Sequence, residues 1–293
     1  MKKIFGILAV ATLVLVGCEN SENIPVVEDG VMQIEALHPS ATRATETAFE
    51  SGDKIGLYAT EYNGDVASPL QISGNWANNV ATTYDGTAWT PAKKIFWSEN
   101  KMDVYGYYPY MTPTSIDKHL WSVQLDQSTP ETADALSGYE ASDFLWGKAT
   151  GVSQTDGNVQ LEFKHRCSKL VVKLVKGKDY SGVLPTESEL YIHSTVPTAT
   201  IDFVNGAVTK YVYGEMETIK ARRVDDGTFE AIIIPQRMET RRPFLEYIAN
   251  GVSYLYEGTF IFKAGKLHTL ELTINSNPDQ IEIEVGGNIT DWE

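Results

Sequence analysis

The sequence predicts an all-β protein built of antiparallel β-sandwiches. Three observations predict it. Seven two-residue turn signals punctuate the chain, apolar and polar residues alternate with period two between them, and no window carries a long apolar repeat at helical spacing. The turn signals are Asp29-Gly30, Asn63-Gly64, Asp85-Gly86, Asp156-Gly157, Asn205-Gly206, Asp226-Gly227 and Asn250-Gly251. Such pairs suit primed hairpin turns, whose two central residues take positive φ. Strands at this spacing with few helices argue for sandwiches.

The first element is not part of the fold. Lys2 and Lys3 precede an apolar run from Ile4 to Val16, too short to span a bilayer as a helix. Leu15-Val16-Gly17-Cys18 follows, and it resembles the lipobox of bacterial lipoprotein signal peptides. The resemblance implies cleavage before Cys18 and lipidation of that cysteine, leaving residues 1–17 as a signal peptide. Each buried methylene of an acyl chain adds roughly 0.8 kcal/mol to membrane anchoring. With Cys18 lipidated, Cys167 has no partner for an intramolecular disulfide and reads as a small buried hydrophobe.

Residues 19–28 are polar and read as a flexible tether. Val31 to Leu37 reads as a strand, with Val31, Ile34 and Leu37 among its apolar residues. Residues 38–47 are again small and polar, and they contain Arg43, the first Lys or Arg after the signal peptide. A lone basic residue in such a loop is where a protease can bind extended backbone. Arg43 is therefore a candidate processing site, with Ala44 the new first residue; otherwise it is an ordinary solvated loop residue.

The body follows. Val159, Leu161 and Phe163 share one strand face; Leu170, Val172 and Leu174 repeat the pattern. So do Leu190 and Ile192, then Leu270, Leu272 and Ile274, then Ile281, Ile283 and Val285. Phe229 to Ile234 is continuously apolar apart from Glu230 and is expected to cross a sandwich centre. Glu131 to Tyr139 is the best helical candidate, and it is short. Two joints are available, near residues 165–168 and over residues 176–187. The division is placed at the first, giving a removable segment 18–43, an N-terminal sandwich 44–165 and a C-terminal sandwich 166–293. Each sandwich is then large enough for its own core, and 42% apolar with 11% aromatic residues can fill two.

Function is bounded mostly by what is missing. The net charge of −15 repels a polyanion and argues against nucleic acid. His38, His119, His165, His193 and His268 are scattered, none with a second histidine at metal-ligand spacing. No nucleophile elbow, phosphate loop or dinucleotide fingerprint occurs. The expectation is no catalytic site, no metal and no cofactor. Trp76, Trp89, Trp97, Trp121 and Trp146, with the cluster Tyr105 to Tyr110, crowd the first half. They read as core filling, or else as a platform for stacking sugars.

Several stretches together resemble the Bacteroidetes fimbrillin-like proteins. They are Thr42-Arg43-Ala44 followed by Phe49 to Tyr58; Phe96-Trp97 with Val104 to Tyr110; Leu161 to His165 running into Ser168-Lys169-Leu170; Ala231 to Gln236; Ala264 to Leu270; and Ile289-Thr290-Asp291-Trp292. The family often has proline where Ala264 stands and tyrosine where His268 stands. The resemblance implies two tandem transthyretin-like sandwiches, a type V pilin precursor at the outer membrane and cell surface, and assembly with other fimbrial subunits into head-to-tail polymers. It also implies a cut by an arginine-specific protease that removes the first strand, whose groove then takes a strand from a neighbour. The run Gln280 to Trp292, with Ile281, Ile283, Val285, Ile289 and Trp292, alternates as a donor strand should, or it closes the second sandwich. A host or bacterial surface ligand would fit an adhesive role. The alternative is a monomeric outer-membrane lipoprotein that binds glycan through the aromatic-rich first domain.

Overall fold

A computed structural model of the chain describes residues 30–39, 48–181, 183–239, 242–274, 281–284 and 289–292. The architecture is all-β, as tandem sandwiches require. The main sheet of the first half runs in the order Lys164–His165, Leu145–Val152, Met102–Tyr108, Lys54–Asn63, Ala77–Tyr84 and Trp89–Pro91, every neighbour antiparallel. Its centre, Met102–Tyr108, is buried at all seven positions.

Alternation explains why one strand can carry so many rings. Val104 and Tyr108 point into the core of the first half, while Tyr105 and Tyr107 point into a second core shared with the rest of the chain. Gly106 sits between them because a Cβ there would lie 2.8 Å from the ring of Phe163 and 2.9 Å from Leu161. The first core is closed by a two-stranded parallel layer, Ile34–Leu37 against Val159–Glu162.

The second half is a sandwich of two sheets. One runs Arg222–Asp225, Thr228–Ile233, Ser168–Lys176 and Lys266–Ile274, with Ile281–Glu284 and Ile289–Asp291 both along the last strand. The other runs Glu217–Lys220, Ser188–Thr195, Pro243–Ala249 and Val252–Glu257. Leu170, Val172, Phe229 and Leu270 of the first meet Leu190, Ile192, Leu245 and Tyr247 of the second in one core. Phe229 to Ile234 is buried throughout, as its apolar run predicts.

The two halves share a connection rule. In each, the opening strand pairs in parallel with a strand that comes late in that half: Ile34–Leu37 with Val159–Glu162, and Ser168–Lys176 with Lys266–Ile274. They are also interlocked. His119–Ser122 of the first half pairs with Thr198–Asp202 of the second. Gln127 accepts from the Ile232 N–H at 2.7 Å and donates to its carbonyl at 2.8 Å. Tyr139 packs its ring under the Arg222 guanidinium at 3.4 Å, and Arg222 and Lys169 both pair with the buried Glu230.

Two local expectations are corrected. Glu131 to Tyr139 is not helical. Thr132 and Ala135 form an isolated bridge, the Gly138 N–H goes to the Thr129 carbonyl at 2.9 Å, and a short 3-10 turn follows at Glu140–Ser142. Although Ala135, Leu136 and Tyr139 stand at helical spacing, the backbone is held by these bonds instead, and Gly138 packs too close to the Asp126 carbonyl for any Cβ. Asp156-Gly157 does not join a hairpin; it ends the 3-10 turn Gln154–Asp156, since the strands either side belong to different sheets. Among the pairs that lie wholly within the described residues, Asn250-Gly251 is the one in which both residues take positive φ, 50° and 75°, within a two-residue link between paired strands.

Candidate functional site

The segment with the most unusual environment is the opening one. Its backbone changes neighbours partway along. The Gly30 carbonyl accepts the Trp97 N–H at 2.9 Å, and the Met32 N–H donates to the Ile95 carbonyl at 2.8 Å. Beyond that point the bonds go to the opposite side. The Val159 N–H donates to Gln33 at 2.8 Å and the Phe163 N–H to Leu37 at 3.0 Å, with Ile34 opposite Val159 in parallel register. The segment thus fills a groove between Ile95–Trp97 and Val159–Phe163.

Its side chains show which face matters. Met32 is 1% exposed and Ile34 8%, and Ala36 packs on the same core. Val31 is half-buried, and Leu37 is 40% exposed on the outside. Of the three apolar residues named from sequence, Ile34 alone fills the groove. Met32 and Ala36 are the positions missed, although counting by two from Ile34 reaches both.

His38 continues the inward face. Its ring meets Phe49 edge-on at 4.9 Å and His165 at 5.8 Å. Burial, the largest influence, holds its pKa below the usual 6.5, and the neighbouring His165 acts in the same direction. His165 is fixed by Asp143, 2.9–3.0 Å from its Nδ1, and its other face is covered by Trp292. A cavity of about 530 Å³ opens here, lined by Leu37, His38, His165, Arg166, Gly265 and Trp292 among others.

The C-terminal run lies along its own chain. Ile281 and Ile283 belong to Ile281–Glu284, antiparallel to the end of Lys266–Ile274. Ile289 is exposed in Ile289–Asp291, which pairs with Lys266 to His268, and Trp292 is buried with its N–H on the Gly265 carbonyl at 3.0 Å. Both described pieces of the run thus lie along Lys266–Ile274 of the second sandwich. Cys18, Arg43, Ala44 and Val285 lie outside the described residues.

The other three histidines each bond to groups nearby. His193 lies between Thr218 at 2.9 Å and Glu246 at 2.8 Å on an outer sheet face. His119 accepts the Thr114 N–H at 3.2 Å, and His268 Nε2 accepts the Lys263 N–H at 3.1 Å. Among the described residues no three His, Cys, Asp or Glu side chains are placed to hold a metal ion. Cys167 is buried, and burial pushes its thiol pKa far up. Of the aromatic cluster, Trp89, Tyr105, Tyr107 and Tyr108 are core residues. Trp76 remains 45% exposed, its indole N–H pinned to the Phe96 carbonyl at 2.7 Å.

The profile of the fimbrillin-like family matches residues 42–292. A candidate fimbrium subunit of Bacteroides uniformis, Fim1C, is 27% identical over 302 residues, a match spanning 96% of this chain and 92% of that protein. A candidate fimbrium tip subunit of Bacteroides ovatus, also Fim1C, is 26% identical over 225 residues, spanning 66% of this chain and 39% of that protein. Among solved structures, a candidate cell adhesion protein from Bacteroides uniformis shares the fold with a TM-score of 0.66 at 23% identity, covering 90% of this chain and 99% of that one. Another, from Bacteroides ovatus, reaches 0.66 at 18% identity, covering 90% and 98%.

Proposed function

The chain belongs to the fimbrillin-like family, whose members are structural subunits rather than enzymes, and we propose that it is a subunit of a cell-surface fimbria, made as a lipid-anchored precursor and assembled by exchange of its opening strand. In this reading Cys18 carries the lipid and holds the precursor on the outer membrane. A cut between Arg43 and Ala44 then frees the chain from its anchor, leaving units 44–165 and 166–293.

The observation that carries the proposal is the groove. Removing the opening segment would leave the Ile95 carbonyl and the Trp97, Val159 and Phe163 N–H groups unpaired, beside a slot vacated by Met32 and Ile34. Unpaired edges of this kind take up an extended strand. The family match begins at residue 42, next to Arg43, and leaves the groove strand outside it.

The chain also contains a segment with the right pattern. Ile281, Ile283 and Val285, with Glu282 and Glu284 between them, repeat the order of Met32, Ile34 and Ala36 with Gln33 and Glu35 between them. Donated to the groove of another molecule, the run makes a heterologous contact, which builds a fibre rather than a closed dimer. To donate, it must first leave Lys266–Ile274. Partners are therefore other fimbrial subunits, with a surface ligand for adhesion.

The test is N-terminal peptide analysis of the protein sheared from cells as fibres. A mature form beginning at Ala44 is expected. Protein found only in the membrane, beginning at Cys18, would overturn the assembly reading. The glycan-binding alternative has less of its aromatic platform left, because Trp89, Tyr105, Tyr107 and Tyr108 fill the core, while Trp76 and Tyr110 stay exposed.

A further inference from the structure

The groove has four inward positions in the opening segment, not three. Met32, Ile34 and Ala36 are followed, two residues on, by His38, whose ring is enclosed by Phe49 and His165 beside the cavity that reaches Trp292. Phe49 and His165 both lie after Arg43 in the chain, so a cut there leaves them in place. The vacated fourth position is then an aromatic-walled subsite at one end of the slot.

The C-terminal run of this chain does not fill that subsite. Matching Ile281, Ile283 and Val285 to Met32, Ile34 and Ala36 brings Gly287 to the position of His38. A second copy would therefore satisfy the first three positions and leave the fourth empty. Resting on the strand-exchange reading above, we infer that the His38 position is a selectivity subsite. It favours an incoming strand from a different subunit, one with an aromatic ring two residues beyond its third inward side chain, over the C-terminal run of a second copy. The chemistry is edge-to-face ring packing against Phe49 and His165, together with the burial of a ring that glycine cannot supply. Such packing was already in place in the precursor, where His38 occupies the site at 4.9 Å and 5.8 Å from the two rings.

The test uses the full chain with one specific protease site placed within residues 40–47 and a fluorophore on the released side. After the cut the opening segment stays in the groove without a covalent link, and its displacement by added peptides is followed by anisotropy. Four peptides are compared: residues 30–39 as they stand, the same with His38→Gly, residues 279–288, and the last with Gly287→His. The first and fourth are expected to displace the segment about tenfold better than the second and third respectively. Equal displacement within both pairs would overturn the subsite while leaving strand exchange standing. Displacement by none of the four would overturn strand exchange itself, and the subsite with it.

Discussion

Trp292 lies flat on His165, with ring centroids 3.6 Å apart and planes 8° from parallel. The stack joins the end of the last strand to the last short strand of the first sheet. It sits where the chain passes from one sheet to the next, because the Gly265 N–H also bonds the Cys167 carbonyl at 2.8 Å and its carbonyl receives Trp292. Trp292→Ala removes a buried indole and should lower stability by about 3 kcal/mol. Trp292→Phe, which keeps a ring against His165, should lose about half of that or less. Chemical denaturation of both variants checks the order, and equal losses would show that the stack itself contributes nothing.

Met32 is the most deeply buried residue of the opening segment. Met32→Ala is expected to weaken the segment's seat by about 2 kcal/mol or more, while Leu37→Ala, on the exposed side, should change it by less than about 0.5 kcal/mol. After cleavage in the 40–47 loop, the Met32→Ala segment should leave the groove much faster. Equal release rates would mean that this face does not hold the strand.

Gln127 satisfies both backbone groups of Ile232 while itself buried. Gln127→Ala leaves a buried N–H and a buried carbonyl without their partner, and should cost about 2–4 kcal/mol. Because the residue comes from the first half and Ile232 from the second, the loss should appear in one cooperative transition seen by all probes. Two separate transitions in the unaltered protein would contradict the interlock.

His268 gives the expected pH response. Its ring is 1% exposed between Phe260 and Phe262, and burial, the largest influence, holds its pKa below 6.5. The charge of Lys263 disfavours a second charge there as well. With the folded pKa below the unfolded one, the unfolded chain binds the proton more tightly. The stability from the neutral ring is thus whole above about pH 6.5 and falls as pH drops from there toward the lowered folded value. His38 and His119, lowered mainly by burial, act in the same direction. Melting temperatures between pH 7.5 and 5 should decline, and His268→Gln, which keeps an acceptor for Lys263 without titrating, should flatten part of that slope. An unchanged slope would remove His268 from the account.

Much of the local structure was legible in the residues themselves. Leu170, Val172 and Leu174 alternate in sequence and are buried in the core, and the run around Phe229 is buried throughout as its composition demands. The opening strand was legible as a strand. Its inward face is not legible there, because Val31, Ile34 and Leu37 are equally apolar, and only the position of the flanking strands puts Met32, Ala36 and His38 inside. The turn at Asn250-Gly251 follows from its pair, whereas Asp156-Gly157 shows that the same residue types close a 3-10 turn when the flanking strands go to different sheets.

By itself, then, the sequence determined strand character, the alternation of each strand, the lack of a long helix, and a set of ordered motifs. Those are consequences of side-chain period and backbone preference over a few residues. Only the tertiary structure decided which strands are neighbours. Ser168–Lys176 pairs in parallel with Lys266–Ile274, and His119–Ser122 of one half pairs with Thr198–Asp202 of the other. Any exposed strand edge offers the same N–H and carbonyl groups, so the choice among edges is made by the packing of faces far apart in the chain. The groove between Ile95–Trp97 and Val159–Phe163, and the aromatic end around His38, exist only as a result of that choice.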